Sequence, residues 1–260
     1  WCCCSLTSIT IPDSVTSIGD GAFDNCKGLT SITIPDSVTS IQAEAFFYCM
    51  GLENIVLSEN ITCIPQKAFS ICYSLKSIKI PDNVTTIEDY AFRSCTGLTN
   101  VTLSSGLTYI GNYAFERCAA LESITIPENV EVINSNCFSE CINLKTVDMD
   151  SCCITEIAGG TFKGCTALNT VILPDTLAGI RFGAFRTCSS LKSITLGKKL
   201  SLIEGYAFDG CAALTDVYYE GTQEQWNKIS IGINNARLTD ATLHFILSGT
   251  CGENLTWILD

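Results

Sequence analysis

The chain has 260 residues, 47% of them hydrophobic and 16% charged, and its 27 acidic and 15 basic side chains give a formal net charge of -12. This composition is typical of a soluble, acidic protein with enough apolar material for a large core. Because contact with a phosphate backbone depends on clustered Lys and Arg side chains, and the sequence contains no basic run, we expect no nucleic-acid partner.

The sequence also lacks the features of membrane insertion and export. No uninterrupted apolar stretch reaches the roughly 18 residues that a membrane-spanning helix needs, so we expect no membrane insertion by this chain. Trp1 opens the chain without the pattern of a signal peptide. We therefore expect any targeting segment to lie outside this fragment.

A Phe-x-x-Cys motif, mostly preceded by Ala, recurs along the chain at a nearly constant spacing. Its cysteines, called the repeat cysteines below, are Cys26, Cys49, Cys72, Cys95, Cys118, Cys141, Cys165, Cys188 and Cys211. The residue number rises by 23 from each repeat cysteine to the next, except from Cys141 to Cys165, where it rises by 24. A period of this length predicts a solenoid, in which each unit buries its apolar residues only by stacking on its neighbours. The same spacing reaches back to Cys3, so we expect residues 1–5 to be the tail of a preceding repeat.

Each unit opens with a short predicted strand. From Ser8 to Ile11 polar and apolar residues alternate, which predicts that Ile9 and Ile11 point inward and that Ser8 and Thr10 point outward. A proline follows directly and ends the strand, because it has no backbone N–H to donate. The prolines at this position are Pro12, Pro35, Pro81, Pro127 and Pro174.

The rest of each unit is predicted to return the chain to the next strand. Val15 and Ile18 are expected to point inward across a second short extended or turn segment. Ala22, Phe23 and Cys26 have the three-to-four-residue spacing of a single helical or 3₁₀ turn that closes the coil. The extra residue between Cys141 and Cys165 falls at 148–154 and predicts a local bulge that leaves the neighbouring register intact.

The repeat pattern ends after Leu214, and the following residues predict a cap. Residues 220–228 are typical of a short helix capped by Thr222 with Trp226 as its buried residue, and 241–247 predict a last strand. From Gly249 a new apolar and polar alternation begins. We therefore divide the chain into a repeat array at 1–213, a cap at 214–247, and the start of a following module or a linker at 248–260.

The repeat unit Leu-x-x-Ile-x-Ile-Pro-x-x-Val-x-x-Ile-x-x-x-Ala-Phe-x-x-Cys resembles the BspA-type leucine-rich repeats of bacterial surface proteins. The resemblance covers residues 1 to about 213. It implies a leucine-rich-repeat solenoid of about nine 23-residue coils, with short parallel β-strands on one side, turns or short helical segments on the other, and a helix-strand cap. It also implies a secreted or surface-attached array without catalytic residues or cofactors.

Equivalent residues of successive coils are predicted to lie side by side in columns, and the outward strand positions form two of them. The first column contains Ser8, Ser31, Asn54, Ser77, Asn100, Ser123, Thr146, Thr170, Ser193 and Asp216. The second contains Thr10, Thr33, Val56, Lys79, Thr102, Thr125, Asp148, Ile172, Thr195 and Tyr218. Ser and Thr suit a solvated strand surface without any further role. Alternatively, this face docks a protein or glycan, with Val56, Lys79, Asp148, Ile172 and Tyr218 lending specificity.

Two further columns each have a structural and a functional interpretation. Carboxylates follow the proline position at Asp13, Asp36, Glu59, Asp82, Glu128 and Asp175, where they are ordinary turn residues or shared calcium ligands. Tyr90, Tyr113 and Tyr206 precede the Ala-Phe motif. Tyr90 and Tyr113 either pack on the rim of the outer turn or form a stacking platform for a sugar ring.

The repeat cysteines are predicted to be reduced core residues, because a small apolar thiol fits beside Phe in every coil. Cysteines outside that column are expected to be more exposed; they are Cys2, Cys4, Cys63, Cys152, Cys153 and Cys251. No pair of cysteines has a matching second pair at metal-binding spacing, so we predict no metal site. His244 lies in an apolar, strand-like context that favours a structural role.

The predicted function is a non-enzymatic array for cell-surface binding or adhesion, whose partner is a host or microbial surface protein or a glycan. Two alternatives remain open, namely a spacer that displays a downstream module and an accessory domain that targets an enzyme to polysaccharide. Catalysis by the array itself is not expected, because no His pairs with a nucleophile and no isolated carboxylate dyad breaks the repeat. The sequence leaves the oligomeric state open.

Overall fold

The computed structural model describes residues 3–250 and 256–259, with side chains over 3–246. Within these residues the chain winds into a solenoid in which equivalent residues of neighbouring coils pair in parallel. Ile32 pairs with Ile55, its equivalent one repeat further on, and Val147 pairs with Val171 across the longer repeat. The predicted solenoid and its parallel register are confirmed.

Each coil from the second onward contributes a short strand to what we call the front face. The front strands are Ser31–Thr33, Asn54–Val56, Ser77–Lys79, Asn100–Thr102, Ser123–Thr125, Thr146–Asp148, Thr170–Ile172, Ser193–Leu196, Asp216–Tyr219 and Thr242–Phe245. Their central apolar residues point into the core, as Ile32 and Ile78 do at 4% and 3% exposure. The first unit is different, because residues 8–10 form no strand and Ile9 is 39% exposed. Ile9 is exposed because no described coil covers the outer side of that unit.

A second ladder of two-residue strands lies where the sequence predicted an extended or turn segment. These strands are Ser17–Ile18, Ser40–Ile41, Cys63–Ile64, Thr86–Ile87, Tyr109–Ile110, Val132–Ile133, Glu156–Ile157, Gly179–Ile180, Leu202–Ile203 and Ser230–Ile231. Each pairs in parallel with its equivalent, for example Ile64 with Ile87 and Ile87 with Ile110. The sequence predicted one strand per coil, because two residues are too few for alternation to be recognised.

The third side of each coil, which we call the turn face, is formed by turns, one of the predicted alternatives, and the described residues form no helical or 3₁₀ segment there. It consists of successive hydrogen-bonded turns, such as Cys95 N to Phe92 O at 3.1 Å, with two left-handed residues in each coil. The left-handed residues are Gly21, Asn25, Glu44, Tyr48, Lys67, Ile71, Tyr90, Ser94, Tyr113, Arg117, Asn136, Glu140, Gly160, Gly164, Gly183, Thr187, Tyr206 and Gly210. A positive φ breaks any helix. The intervening residues bond between coils instead, as Phe92 N donates to Ala114 O at 2.7 Å.

The core is a continuous column of phenylalanine rings flanked by the repeat cysteines. The stacked rings belong to Phe23, Phe46, Phe69, Phe92, Phe115, Phe138, Phe162, Phe185 and Phe208. Ring centroids are 5.1 to 5.7 Å apart and the planes differ by at most 18°. Such offset stacking adds about 0.5–1.5 kcal/mol per pair to the stabilisation from burial. The predicted role of Phe as the repeated core residue is confirmed.

The repeat cysteines are free and buried, as predicted, and each one after Cys26 also has a hydrogen-bonded partner. Cys95 Sγ donates to the carbonyl oxygen of Phe69 in the preceding coil at 3.0 Å, and Cys118 Sγ donates to that of Phe92 at 3.3 Å. Burial raises the pKa of the Cys95 thiol to about 12. The thiol is therefore both a packing group and a link between coils, which the spacing alone did not reveal.

The extra residue of the seventh coil lies in the turn after its front strand. Cys152 N donates to Met149 O at 3.2 Å, and both side chains are buried. The front strand keeps its register on both sides, with Asp148 opposite Thr125 and Ile172. In the second ladder Ile157 pairs with Ile180, but Val132–Ile133 and Glu156–Ile157 lie in separate sheets. The predicted preservation of register is confirmed for the front strands.

The C-terminal cap continues both ladders and adds two short helices. Helix α1 spans Gln223–Trp226, and its N-cap residue Thr222 forms a capping box with Gln225. Thr222 Oγ1 accepts from Gln225 N at 3.3 Å, and Gln225 Oε1 accepts from Thr222 N at 2.9 Å. Trp226 was predicted to be buried but is only half-buried, with its ring edge-on to Tyr219 at 5.3 Å.

Helix α2, at Ala236–Thr239, was not predicted. The side chain of Asn235, at the start of this helix, does not cap it. Its Oδ1 accepts from Phe208 N and its Nδ2 donates to Glu204 O, both in the preceding coil. The predicted last strand is shorter, at Thr242–Phe245. Leu247–Thr250 and Thr256–Leu259 then form an antiparallel pair. Neither helix, at four residues each, is long enough to span a membrane, and the described residues contain no other α-helix.

The left-handed turn positions predict an unusual stabilising substitution. Thr187 is exposed and β-branched with φ of 61°, whereas Gly210 occupies the same position one coil later. We expect Thr187→Gly to raise the free energy of unfolding by about 0.5–1 kcal/mol, because relief of left-handed strain exceeds the entropy that Gly adds to the unfolded chain. Urea denaturation measures this. The matched control Thr195→Gly, on an exposed strand position, should lower stability by about 1 kcal/mol, and a loss in both variants would contradict the strain argument.

The buried thiols predict that the protein loses stability at alkaline pH. Since the pKa of Cys95 is about 12 in the fold, the unfolded chain releases protons from about pH 9 while the native state keeps them. The free energy of unfolding should fall by about 1.4 kcal/mol per pH unit for each such thiol between these values. Urea titrations at several pH values measure the slope. Cys95→Ala should reduce the slope by about 1.4 kcal/mol per pH unit, the contribution of one thiol. Ala91→Gly, also in the core, should lower the free energy of unfolding without changing the slope.

Candidate binding surface

The two outward columns of the front strands lie on one exposed surface, as predicted. Thr33 lies opposite Val56, Lys79 opposite Thr102, and Thr125 opposite Asp148. The second column is exposed at Thr10, Thr33, Val56, Lys79, Thr102, Thr125 and Ile172, and half-buried at Asp148 and Tyr218. The front face is therefore a wall of short hydroxyl side chains interrupted by a few larger residues.

Two aliphatic residues interrupt the hydroxyl columns. Val56 is 59% exposed and Ile172 is 42% exposed, although each occupies a position that is Thr in five of the ten members of the second column. Ile172 lines a depression of about 240 Å³ together with Thr195 and three carboxylates, those of Asp150, Asp175 and Glu220. Burial raises the pKa of Glu220, and the nearby Asp175 carboxylate adds to the shift. An apolar patch with an acidic rim therefore lies near the C-terminal end of the front face.

Lys79 is the cation of the second front column. Its Nζ lies 3.1 Å from Glu59 Oε1, and both side chains are more than half exposed. Exposed ion pairs of this kind contribute at most about 1 kcal/mol to stability. Both charges therefore remain accessible to a partner on the front face.

The C-terminal end of the front face contains a polar cluster that sequence reasoning missed. Thr242–Phe245 pairs in register with the last repeat strand, which places His244 beside Tyr218 in the second column. The two rings stack with centroids 4.7 Å apart, and His244 Nε2 lies 2.8 Å from Asp216 Oδ1. His244 is therefore a half-exposed surface residue rather than a structural residue of the apolar interior. The matching patterns Asp-Val-Tyr-Tyr and Thr-Leu-His-Phe could have revealed this pairing.

Tyr90 and Tyr113 lie on the turn face, in agreement with the outer turn at which the sequence placed them. Their rings are half-buried and stack on each other, with centroids 5.0 Å apart and planes 2° apart. The ring faces that point at each other are therefore unavailable for stacking on a sugar. Tyr206, at the equivalent position, packs instead against Phe182 at 5.3 Å.

The carboxylates after the proline position belong to turns between the two ladders. Asp36 Oδ1 accepts from Glu59 N at 3.0 Å, and Asn60 Nδ2 donates to Asp36 O at 2.7 Å. Asn83 repeats the second bond one coil later, donating to Glu59 O at 2.7 Å. Across the part of the chain that the structure describes, no three His, Cys, Asp or Glu side chains are grouped closely enough to hold a metal ion.

The cysteines outside the repeat column do not behave alike. Cys153 is exposed, as expected, and Cys63 is half-buried. Cys152 was expected to be exposed but is buried at 3%, because the seventh-coil turn folds it under the front strand. Cys4 is exposed and belongs to a disulfide. Cys2 and Cys251 lie outside the described residues.

Comparison with known proteins identifies the repeat. A family model described as a BspA type leucine-rich repeat region matches residues 1–122, 63–182 and 108–231. The chain belongs to the BspA-type leucine-rich repeat family. No match was found among curated proteins.

Three solved structures similar to this BspA-type chain are leucine-rich repeat proteins of bacteria. One from Bacteroides ovatus is 27% identical, with a TM-score of 0.68 over 93% of this chain and 72% of its own. One from Eubacterium ventriosum is 29% identical, with a TM-score of 0.60 over 80% of this chain and 59% of its own. The TpLRR protein of T. pallidum is 26% identical, with a TM-score of 0.57 over 71% and 77%. Leucine-rich repeat solenoids of this kind typically serve as binding scaffolds.

The Asp216 and His244 contact predicts a shifted carboxyl titration. The hydrogen bond from His244 holds the pKa of Asp216 below its usual value, and a bond from Thr215 lowers it further. We expect His244→Phe, which keeps an aromatic ring beside Tyr218, to raise the pKa of Asp216 towards its usual value. Carbon-detected NMR titration of the carboxyl group measures it. Thr215→Val should give a smaller rise, and an Asp216 pKa unchanged in His244→Phe would contradict the assignment.

Proposed function

We propose that this chain is a non-enzymatic binding array whose front face docks a host or microbial surface protein. The single observation that carries the proposal is the pair of exposed, in-register columns, interrupted by Val56, Ile172 and Tyr218. Many contacts spread along a rigid repeated surface supply the affinity, so no reactive group is needed.

The side chains of the front face suit protein docking. Ser and Thr have few rotamers to immobilise, so ordering them on binding costs little conformational entropy. Exposed aliphatic side chains such as Val56 and Ile172 gain about 25 cal/mol for each Å² that a partner covers. Charged residues are sparse along the columns although the chain carries a net charge of -12. Depletion of charge at the centre of a contact surface is typical of protein interfaces.

We place the array at the cell surface or in the secreted fraction and assign it a role in adhesion. Family membership supports this location, since proteins of this type are associated with bacterial surfaces. A spacer role for a downstream module and a polysaccharide-targeting role remain the alternatives. Protein binding by the isolated array separates the proposal from the spacer role, and a glycan screen separates it from the polysaccharide-targeting role.

The proposal predicts that charge on the aliphatic positions abolishes docking. The double variant Val56→Asp with Ile172→Asp should weaken binding to a partner protein at least about tenfold, because a carboxylate would be desolvated at each contact. Biolayer interferometry against purified extracellular-matrix proteins and bacterial surface proteins measures the dissociation constants.

The matched control is Val132→Asp. Val132 is also 42% exposed, but it lies in the second ladder rather than on the front face. Its binding should equal that of the wild type. Equal binding by all variants would place the contact elsewhere, and a wild-type array that binds no protein of the panel would favour the spacer role.

A further inference from the structure

A large concavity lies on the turn face, away from the front columns. It has a volume of about 680 Å³ and spans the second to fifth coils. Phe47, Ser70 and Arg93 occupy equivalent positions in three successive coils and line its floor and walls. We call this concavity the turn groove.

The turn groove exists because the small Ser70 lies between the larger Phe47 and Arg93 of the neighbouring coils. Ser70 is buried at 2% exposure, and its Oγ donates to Arg93 O at 3.3 Å. Phe47 and Arg93 project on either side of it, so the missing bulk of the serine leaves the space open. The volume lies within the range of roughly 300–1,000 Å³ that is typical of small-ligand sites.

The ionised groups of the turn groove are paired with one another. Lys67 Nζ lies 2.6 Å from Glu44 Oε1, and Arg93 Nε lies 2.5 Å from Glu116 Oε2. Glu116 is buried at 9% exposure, so the second pair is a fixed part of the wall rather than a mobile surface contact. Since each cation is already matched by a carboxylate, the lining favours a ligand without net charge.

Polar groups free to bind a ligand lie beside the aromatic rings. The phenol groups of Tyr90 and Tyr113 and the side-chain amide of Gln66 line the groove, and none of them has a hydrogen-bond partner among the described residues. The Arg93 guanidinium lies 5.7 Å from the centre of the Tyr90 ring, which fixes its orientation. The stacked tyrosines thus present ring edges and hydroxyls to the groove, with Phe47 as the aromatic surface.

The turn groove cannot take up a peptide by strand addition. That mode of recognition needs unpaired main-chain groups at a sheet edge. The main chain under the groove is already paired between coils, as Phe69 N donates to Ala91 O and Ile71 N to Arg93 O, each at 2.8 Å. A ligand must therefore be held by side chains alone.

We propose that the turn groove binds a neutral oligosaccharide. An apolar C–H face of one sugar ring would pack on Phe47. The sugar hydroxyls would form hydrogen bonds with the two phenol groups and the Gln66 amide, and with the Arg93–Glu116 pair, in which a donor lies beside an acceptor. This site is separate from the front face and does not depend on the protein-docking role proposed for it.

Saturation-transfer difference NMR with defined sugars tests the proposal. The panel consists of the neutral cellotetraose, mannotetraose, maltotetraose and lacto-N-tetraose, with a galacturonic acid tetramer as the charged comparison. We expect saturable binding of at least one neutral sugar by the wild-type chain, and weaker or no binding of the charged one. Tyr90→Ala and Gln66→Leu should each weaken binding at least about tenfold. Ser70→Phe should abolish it by filling the groove, and the two milder variants serve if that chain does not fold.

The matched control is Tyr206→Ala, which removes a tyrosine from the same left-handed turn position outside the groove. Its affinity should stay within about twofold of the wild type. The proposal is overturned if no neutral sugar binds, if the galacturonic acid tetramer binds best, if a peptide library competes for the groove, or if Tyr90→Ala and Tyr206→Ala behave alike. Unchanged sugar binding in the Val56→Asp, Ile172→Asp variant would separate this site from the front face.

Discussion

Each side chain of the array packs against its own equivalent in the neighbouring coil, and this register determines nearly every other feature of the molecule. The stacking of the phenylalanine rings requires the ring of each coil to lie directly against the ring of the next, with centroids 5.1 to 5.7 Å apart. The bonds from Cys95 and Cys118 to the preceding phenylalanine carbonyls need the same alignment. Because the core is repeated in this way, the outward residues also form columns, in which Val56 and Ile172 are exposed aliphatic members.

The register also explains which features could be predicted from the sequence. Core positions such as Ile32 and Phe115 recur once in every repeat, so period and polarity alone place them, together with the front strands and their outward residues. The two-residue second strands and the left-handed turns could not be predicted in this way. Their geometry follows from bonds between coils, such as Phe92 N to Ala114 O, which replace the local bonds of a helix.

The candidate sites show the same division. Exposure of Thr33, Val56 and Ile172 follows from strand alternation, whereas the separation of Tyr90 and Tyr113 from them depends on the three-sided cross-section of a coil. The turn groove depends on Ser70 having larger neighbours one coil away on each side, a comparison that appears only when the coils are aligned. Recognition on a solenoid therefore involves residues one repeat apart more than residues adjacent in sequence.

At the left-handed position before the Ala-Phe motif, the backbone conformation is the same whichever residue is present. Glycine, glutamate, lysine, tyrosine and asparagine all occupy it in different coils with φ between 53° and 64°. The bonds between coils hold this conformation, so its strain is tolerated whichever side chain is present. New chemistry can thus arise on the turn face by point substitution without remodelling the core. An array of this kind has two surfaces that can diversify independently, and a single chain can acquire specificities for two unrelated ligands.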